Sequence, residues 1–119
     1  MFSLGQDLKY YLCIGSVSMC NGIDGLSGIV RNKLGRNPLS GEVFIFISKN
    51  RYNMKLLHWE QGGFVLYQKR LEAGTFELPE YDTSLSSYKM EWSTLVMLVE
   101  GIKLKKVRYK KRYRERYTV

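Results

Sequence analysis

The sequence predicts an α+β domain: a mostly antiparallel sheet of about four strands, two helices packed on one face, and a basic C-terminal tail. Three observations carry this reading. Short aromatic and branched aliphatic runs, bounded by Gly, Pro and Asn, have the composition of strands. Two longer stretches repeat their apolar residues at steps of three and four, the period of an amphipathic helix. The cations gather in the last nineteen residues, which sets off a single domain over residues 1–102 from a basic, flexible arm over 103–119. A chain of 119 residues suits one domain of roughly 100–150 residues. Its 45% hydrophobic content is enough for a core and too high for a disordered chain.

Tyr10-Tyr11-Leu12-Cys13-Ile14, ended by Gly15, reads as the first strand. From Asn21 the period changes: Ile23, Leu26, Val30 and Leu34 form one helical stripe. Asn21 is the expected N-cap and Gly35 the expected stop, with Pro38 soon after. Gly22, Gly25 and Gly28 lie inside this helix, and each costs up to about 1 kcal/mol relative to Ala, which points to close packing or a fraying first turn. Their spacing lacks the Gly-x-Gly start and the following Lys-Ser/Thr of a phosphate loop.

Val43-Phe44-Ile45-Phe46-Ile47 is continuously apolar, as in a central strand covered on both faces. Lys49 to Asn53 is a polar turn, and Met54 to Glu60 is the return strand, with Met54, Leu56 and His58 on one face and Lys55, Leu57 and Trp59 on the other. Gln61-Gly62-Gly63 turns the chain into a third meander strand over Phe64–Arg70. Gly74 interrupts the chain before Phe76-Glu77-Leu78, and Pro79 ends that segment. Residues 80–89 are polar and aperiodic, a surface loop. Trp92, Leu95, Val96, Val99 and Ile102 share one side of the second helix, which Gly101 stops.

The net charge of +8 is unevenly placed. Residues 1–60 hold seven basic and four acidic side chains, residues 61–100 three and six, and residues 101–119 nine and one. A strongly basic tail on a neutral domain points to a polyanion, which in the cytoplasm means nucleic acid before membrane; a merely solubilising tail is the plainer alternative. Tyr109, Tyr113 and Tyr117 alternate with cations at steps of four, so rings able to stack on bases lie among side chains that neutralise phosphates. Alone such a run repels itself, so an arm that orders on its partner is expected. Arg31, Lys33 and Arg36 near the first helix end, and Lys49, Arg51 and Lys55 around the hairpin turn, extend the candidate footprint.

Catalytic chemistry is not expected. One histidine and two cysteines cannot close a zinc shell without carboxylates, so no metal or cofactor is expected. Cys13 falls on a strand as a small core residue, and Cys20 precedes the helix as a structural thiol. His58 has Met54 and Leu56 as face neighbours and reads as a packed, singly hydrogen-bonded imidazole. Trp59 on the opposite face reads as sheet packing, with base stacking as the alternative. Asp24 suits a first helical turn, and Glu72, Glu77, Glu80 and Asp82 suit a solvated surface. Two cysteines are too few for a disulfide framework, no apolar run reaches the ~20 residues of a membrane span, and the N-terminus lacks a secretory pattern, which together predict a cytoplasmic protein.

Several segments taken together carry a resemblance. They are Met19 with Asp24-Gly25-Leu26; Pro38, Ser40-Gly41, Val43-Phe44 and Phe46; Lys55-Leu56-Leu57-His58-Trp59-Glu60; Gly63-Phe64, Leu66-Tyr67, Lys69-Arg70-Leu71-Glu72, Gly74 and Phe76; and Leu95 with Glu100-Gly101-Ile102. From about Tyr11 to Arg112 the chain resembles the small TnpB-type accessory protein of the insertion-sequence-66 family of bacterial transposable elements. The resemblance implies a role supporting transposition, beside a separate, larger DDE-type transposase that performs the strand chemistry. The family commonly has basic residues after the methionine and an Arg-rich hairpin turn, where this chain has Cys20-Asn21 and Ser48–Asn53; that shifts the expected phosphate contacts toward the tail. The expectation is a non-catalytic, DNA-associated accessory factor whose contacts are Lys105, Lys106, Arg108, Lys110, Lys111, Arg112, Arg114 and Arg116, with Arg51 and Lys55 as lesser candidates. The alternative is a protein adaptor that docks on the transposase without binding DNA.

Overall fold

The computed structural model describes residues 4–101. Along these the order is β1 (Tyr10–Cys13), α1 (Ile23–Asn32), β2 (Val43–Ile47), β3 (Asn53–Glu60), β4 (Gly63–Arg70), β5 (Ser87–Met90) and α2 (Trp92–Glu100). The strands form one sheet in the order β4-β3-β2-β1-β5. The β2–β3–β4 meander is antiparallel, with Ile45 opposite Leu56 and Leu57 opposite Leu66. β1 runs parallel to β2, Tyr10 beside Val43, so α1 is the crossover that parallel neighbours require. β5 then closes the far edge antiparallel to β1, Tyr10 opposite Met90.

The α+β class, the two helices and a mostly antiparallel sheet of nearly the expected size are as expected, and three details differ. The sheet has five strands and is mixed, since β1 and β2 are parallel. Ser87–Met90, expected within a loop, is an edge strand; it pairs only with β1 and buries only Met90, which explains its polar sequence. The helices lie on opposite faces of the sheet. Leu26, Val30 and Leu34 pack with Phe44, Phe46 and Leu57, whereas Leu95 and Leu98 pack with Val43, Ile45, Ile47, Met54 and Leu56. Alternation along β2 sends its side chains to both layers, and all five of its residues are buried. Each such apolar side chain contributes about 1.5–3 kcal/mol.

Local chemistry sets the helix ends. Gly22, not Asn21, is the N-cap of α1; the Asn21 amide donates to the Ser18 carbonyl, and a Cβ on Gly25 would meet the Asn21 side chain. The chain leaves α1 through Lys33 and reaches the left-handed region at Gly35. α2 ends at Gly101, φ 83°, whose N–H reaches the carbonyls of Leu98 and Met97, and the Lys69 ammonium donates to the Val99 carbonyl at 2.7 Å. Phe76 lies in irregular chain yet is fully buried, and its N–H donates to the Arg51 carbonyl at 2.8 Å.

Candidate nucleic-acid interface

The β2–β3 hairpin presents the cations that can meet a polyanion. Its tip is braced from within. The Ser48 hydroxyl donates to Asn50 Oδ1 at 2.6 Å and accepts from the Asn53 N–H at 3.2 Å, while Asn50 Oδ1 also accepts from the Tyr52 N–H at 3.0 Å. Arg51 sits at the apex with φ 64°, its N–H donating to the Ser48 carbonyl. Its own carbonyl accepts from Phe76, and that of Tyr52 accepts from Leu71, so the following loop grips the turn. Lys49, Arg51 and Tyr52 are exposed on this rigid tip, with 46% of Tyr52 accessible. Tyr52 follows Arg51 directly, an exposed ring beside exposed cations, and it went unnoticed in the sequence because one aromatic in a polar turn has no periodic signal.

Lys55 does not belong to this surface. It is 6% exposed, and its ammonium donates to the Met19 carbonyl at 2.9 Å and the Asn21 carbonyl at 2.7 Å. The side chain reaches across the α1 face and fastens the β1–α1 connection to β3, so it is no phosphate contact. Two members of the helix-end trio are engaged as well. Lys33 Nζ donates to the Ile14 carbonyl at 2.6 Å. Arg36 forks onto Glu42 at 3.0 and 2.9 Å, donates to the Tyr11 hydroxyl at 3.1 Å, and holds its guanidinium carbon 3.9 Å from the centre of the Tyr11 ring. The Arg36 hydrogen bonds hold the Glu42 carboxyl below the usual glutamate range. Arg31 remains exposed. The arm residues Lys105, Lys106, Arg108, Lys110, Lys111, Arg112, Arg114 and Arg116 lie outside the described residues.

The other reactive side chains take structural places. Cys13 is buried and free; burial pushes its thiol up, opposed by the nearby Lys33 charge. Cys20 is exposed. His58 is 5% exposed, with Nε2 3.3 Å from Glu60 Oε1 and Nδ1 buried without a partner among the described residues. Trp59 packs edge-on against Phe64 at 4.9 Å, as sheet packing requires. Among the described residues no helix is long and apolar enough to cross a membrane.

Comparison with known proteins gives the family of the chain. No solved structure matches the chain. An uncharacterized protein of Sinorhizobium fredii, y4jC, is 27% identical over 107 residues, covering 89% of this chain and 92% of that protein. A second uncharacterized protein of the same organism, y4hO, is 32% identical over 80 residues, covering 66% of this chain and 69% of its own length. A family model described as IS66 Orf2 like protein matches residues 8–109, which takes in the whole sheet, both helices and the start of the basic segment. The chain belongs to the IS66 Orf2-like family, the accessory proteins of an insertion sequence.

Proposed function

We propose that this protein is a non-catalytic accessory factor that supports transposition of its element by binding DNA through the basic arm at 103–119, with Arg51 of the hairpin tip as a subsidiary contact. The observation that carries the reading is charge placement. Residues 1–100 hold ten basic and ten acidic side chains, so the entire excess of +8 belongs to the last nineteen residues. Within the domain, Lys33, Arg36, Lys55 and Lys69 each donate to a carbonyl or a carboxylate, whereas Arg31, Lys49 and Arg51 are exposed. Family membership supports an insertion-sequence context with the element's transposase as a partner; DNA as the second partner and a cytoplasmic location belong to the proposal.

The test is the salt dependence of duplex binding. If about five cations engage B-form DNA, log affinity falls with log salt at a slope of roughly −4 to −5. Deleting residues 103–119 should flatten that slope. An unchanged slope removes the arm from the interface.

A second reading has one observation behind it. An apolar groove of about 460 Å³ runs beside α2, lined by Leu56, Tyr67, Trp92, Leu95, Val96 and Val99. Such a groove suits a protein adaptor that docks on the transposase. Salt-insensitive co-purification with the transposase, together with absence of DNA binding, would favour the adaptor.

A further inference from the structure

Parallel pairing of β1 and β2 brings two distant loops together at the carboxyl ends of these strands. The chain leaving Cys13 contributes Gly15 and Ser16, and the chain leaving Ile47 contributes Ser48, Lys49 and Arg51. Tyr81 and Leu78 cover the side, and the result is a small cleft of about 170 Å³. The volume lies below the roughly 300–1,000 Å³ usual for small-molecule sites, so the cleft suits one compact group rather than a nucleoside.

The lining specifies the charge of that group. No carboxylate lines the cleft, whereas Lys49 and Arg51 both do, and both are exposed at its mouth. Lys33 stands as a third cation beside the cleft: its Nζ lies 3.2 Å from where a Cβ on Gly15 would stand, with donors on the Ile14 carbonyl and the Cys13 side chain and the third of its three N–H groups left over. Ser16 and Tyr81 bring hydroxyls. The Ser48 hydroxyl is held by Asn50 and Asn53, so the hairpin wall is fixed before a ligand arrives. Lys49 and Arg51 in the lining, Lys33 beside Gly15 and the hydroxyl-bearing Ser16 and Tyr81 give a space of this size a composition that suits a small oxyanion.

We propose that this cleft binds a single phosphate group through Lys49, Arg51 and Lys33. It rests on the preceding functional reading only for the source of the phosphate, a DNA backbone diester, and holds without the arm if the source is free phosphate or a small phosphate ester. The experiment is an amide NMR titration of the full-length protein with inorganic phosphate, against sodium chloride at equal ionic strength. Saturable shifts are expected at Gly15, Ser16, Ser48 and Lys49. The double variant Lys49→Gln/Arg51→Gln should weaken phosphate binding at least tenfold while leaving the spectrum away from the cleft unchanged. Arg31→Gln, an exposed cation outside the cleft, should have no effect. A short duplex then identifies the source: the same amides moving, and returning when phosphate is added in excess, assigns a backbone diester; phosphate moving them while duplex does not assigns a free phosphate compound. Absence of phosphate-specific shifts, or shifts that persist in the double variant, overturns the proposal. Loss of the salt slope on deleting the arm tests a separate set of residues, so either reading can fail without the other.

Discussion

Replacing Lys55 with Met keeps most of the stem and removes the ammonium, leaving the carbonyls of Met19 and Asn21 without the donor that now joins them. Unsatisfied polar groups of this kind cost about 1–3 kcal/mol each, so Lys55→Met should lower unfolding stability by about 2–4 kcal/mol in a denaturant titration. Because the ammonium faces inward, the salt slope for DNA should not change below the unfolding transition; a flatter slope would return Lys55 to the interface. The Arg36–Glu42 pair makes a second claim at this scale. Glu42 is held below its ordinary pKa in the folded state, first by the Arg36 hydrogen bonds, so the unfolded chain binds its proton more readily. The stabilisation is therefore present above the usual glutamate value of 4.5 and is lost as pH falls through the folded value below it. Both side chains are partly open to water, at 34% and 18%, so the pair contributes about 1 kcal/mol at neutral pH. Glu42→Gln should cost that amount at pH 7 and less at an acid pH below the folded value, read from paired denaturant midpoints. An equal cost at both pH values would mean that packing, not charge, accounts for Glu42.

Two glycines on the helices should respond with opposite signs. Gly28 lies inside α1 with open space where a Cβ would stand, so Gly28→Ala should raise stability by about 0.5–1 kcal/mol through helix propensity alone. Gly101 ends α2 at φ 83°, where an L side chain costs about 1–2 kcal/mol, so Gly101→Ala should destabilise by roughly that amount. Thermal melts of the two variants moving in the same direction would contradict this account of the helix ends. The same elements show what could be read in advance. Both helices and the β2–β3–β4 meander announce themselves, because each carries an uninterrupted period and a turn of Gly, Asn or Gln at its end. The Val43–Ile47 run also held the information that both faces are covered, which calls for a layer on each side; placing both helices on one face set that signal aside. Ser87–Met90 was not legible, since an edge strand with one buried residue has no pattern to detect. The exposed place of Arg51 in the hairpin turn was legible from the polar sequence of that turn. The inward course of Lys55 was not, because alternation assigns a face but cannot show which carbonyls lie across it. The cleft was least legible of all: Ser16 and Ser48 become neighbours only through the parallel register of β1 and β2.

At the scale of the whole molecule, the described core and the charge excess occupy different parts of the sequence. Among the described residues, the buried members of the apolar clusters lie between Tyr10 and Leu98, on both faces of one sheet, while the cationic excess of the sequence begins after Gly101. Hydrophobic burial drives stability, whereas a concentrated charge of one sign governs solubility and long-range attraction to polyanions. The two properties should therefore separate on truncation. A chain ending at Ile102 carries ten basic and ten acidic side chains, so its net charge falls from +8 to zero. Its unfolding midpoint in denaturant should stay close to that of the full chain, because every buried core residue among the described residues is retained. It should pass unretained through a cation exchanger that holds the full chain, and should precipitate more readily near neutral pH, where self-repulsion no longer keeps molecules apart. Its affinity for duplex DNA should also become far less sensitive to salt. A midpoint that drops sharply would show that the last seventeen residues contribute to the fold, and would make 1–119 one cooperative unit rather than a neutral domain with a charged arm.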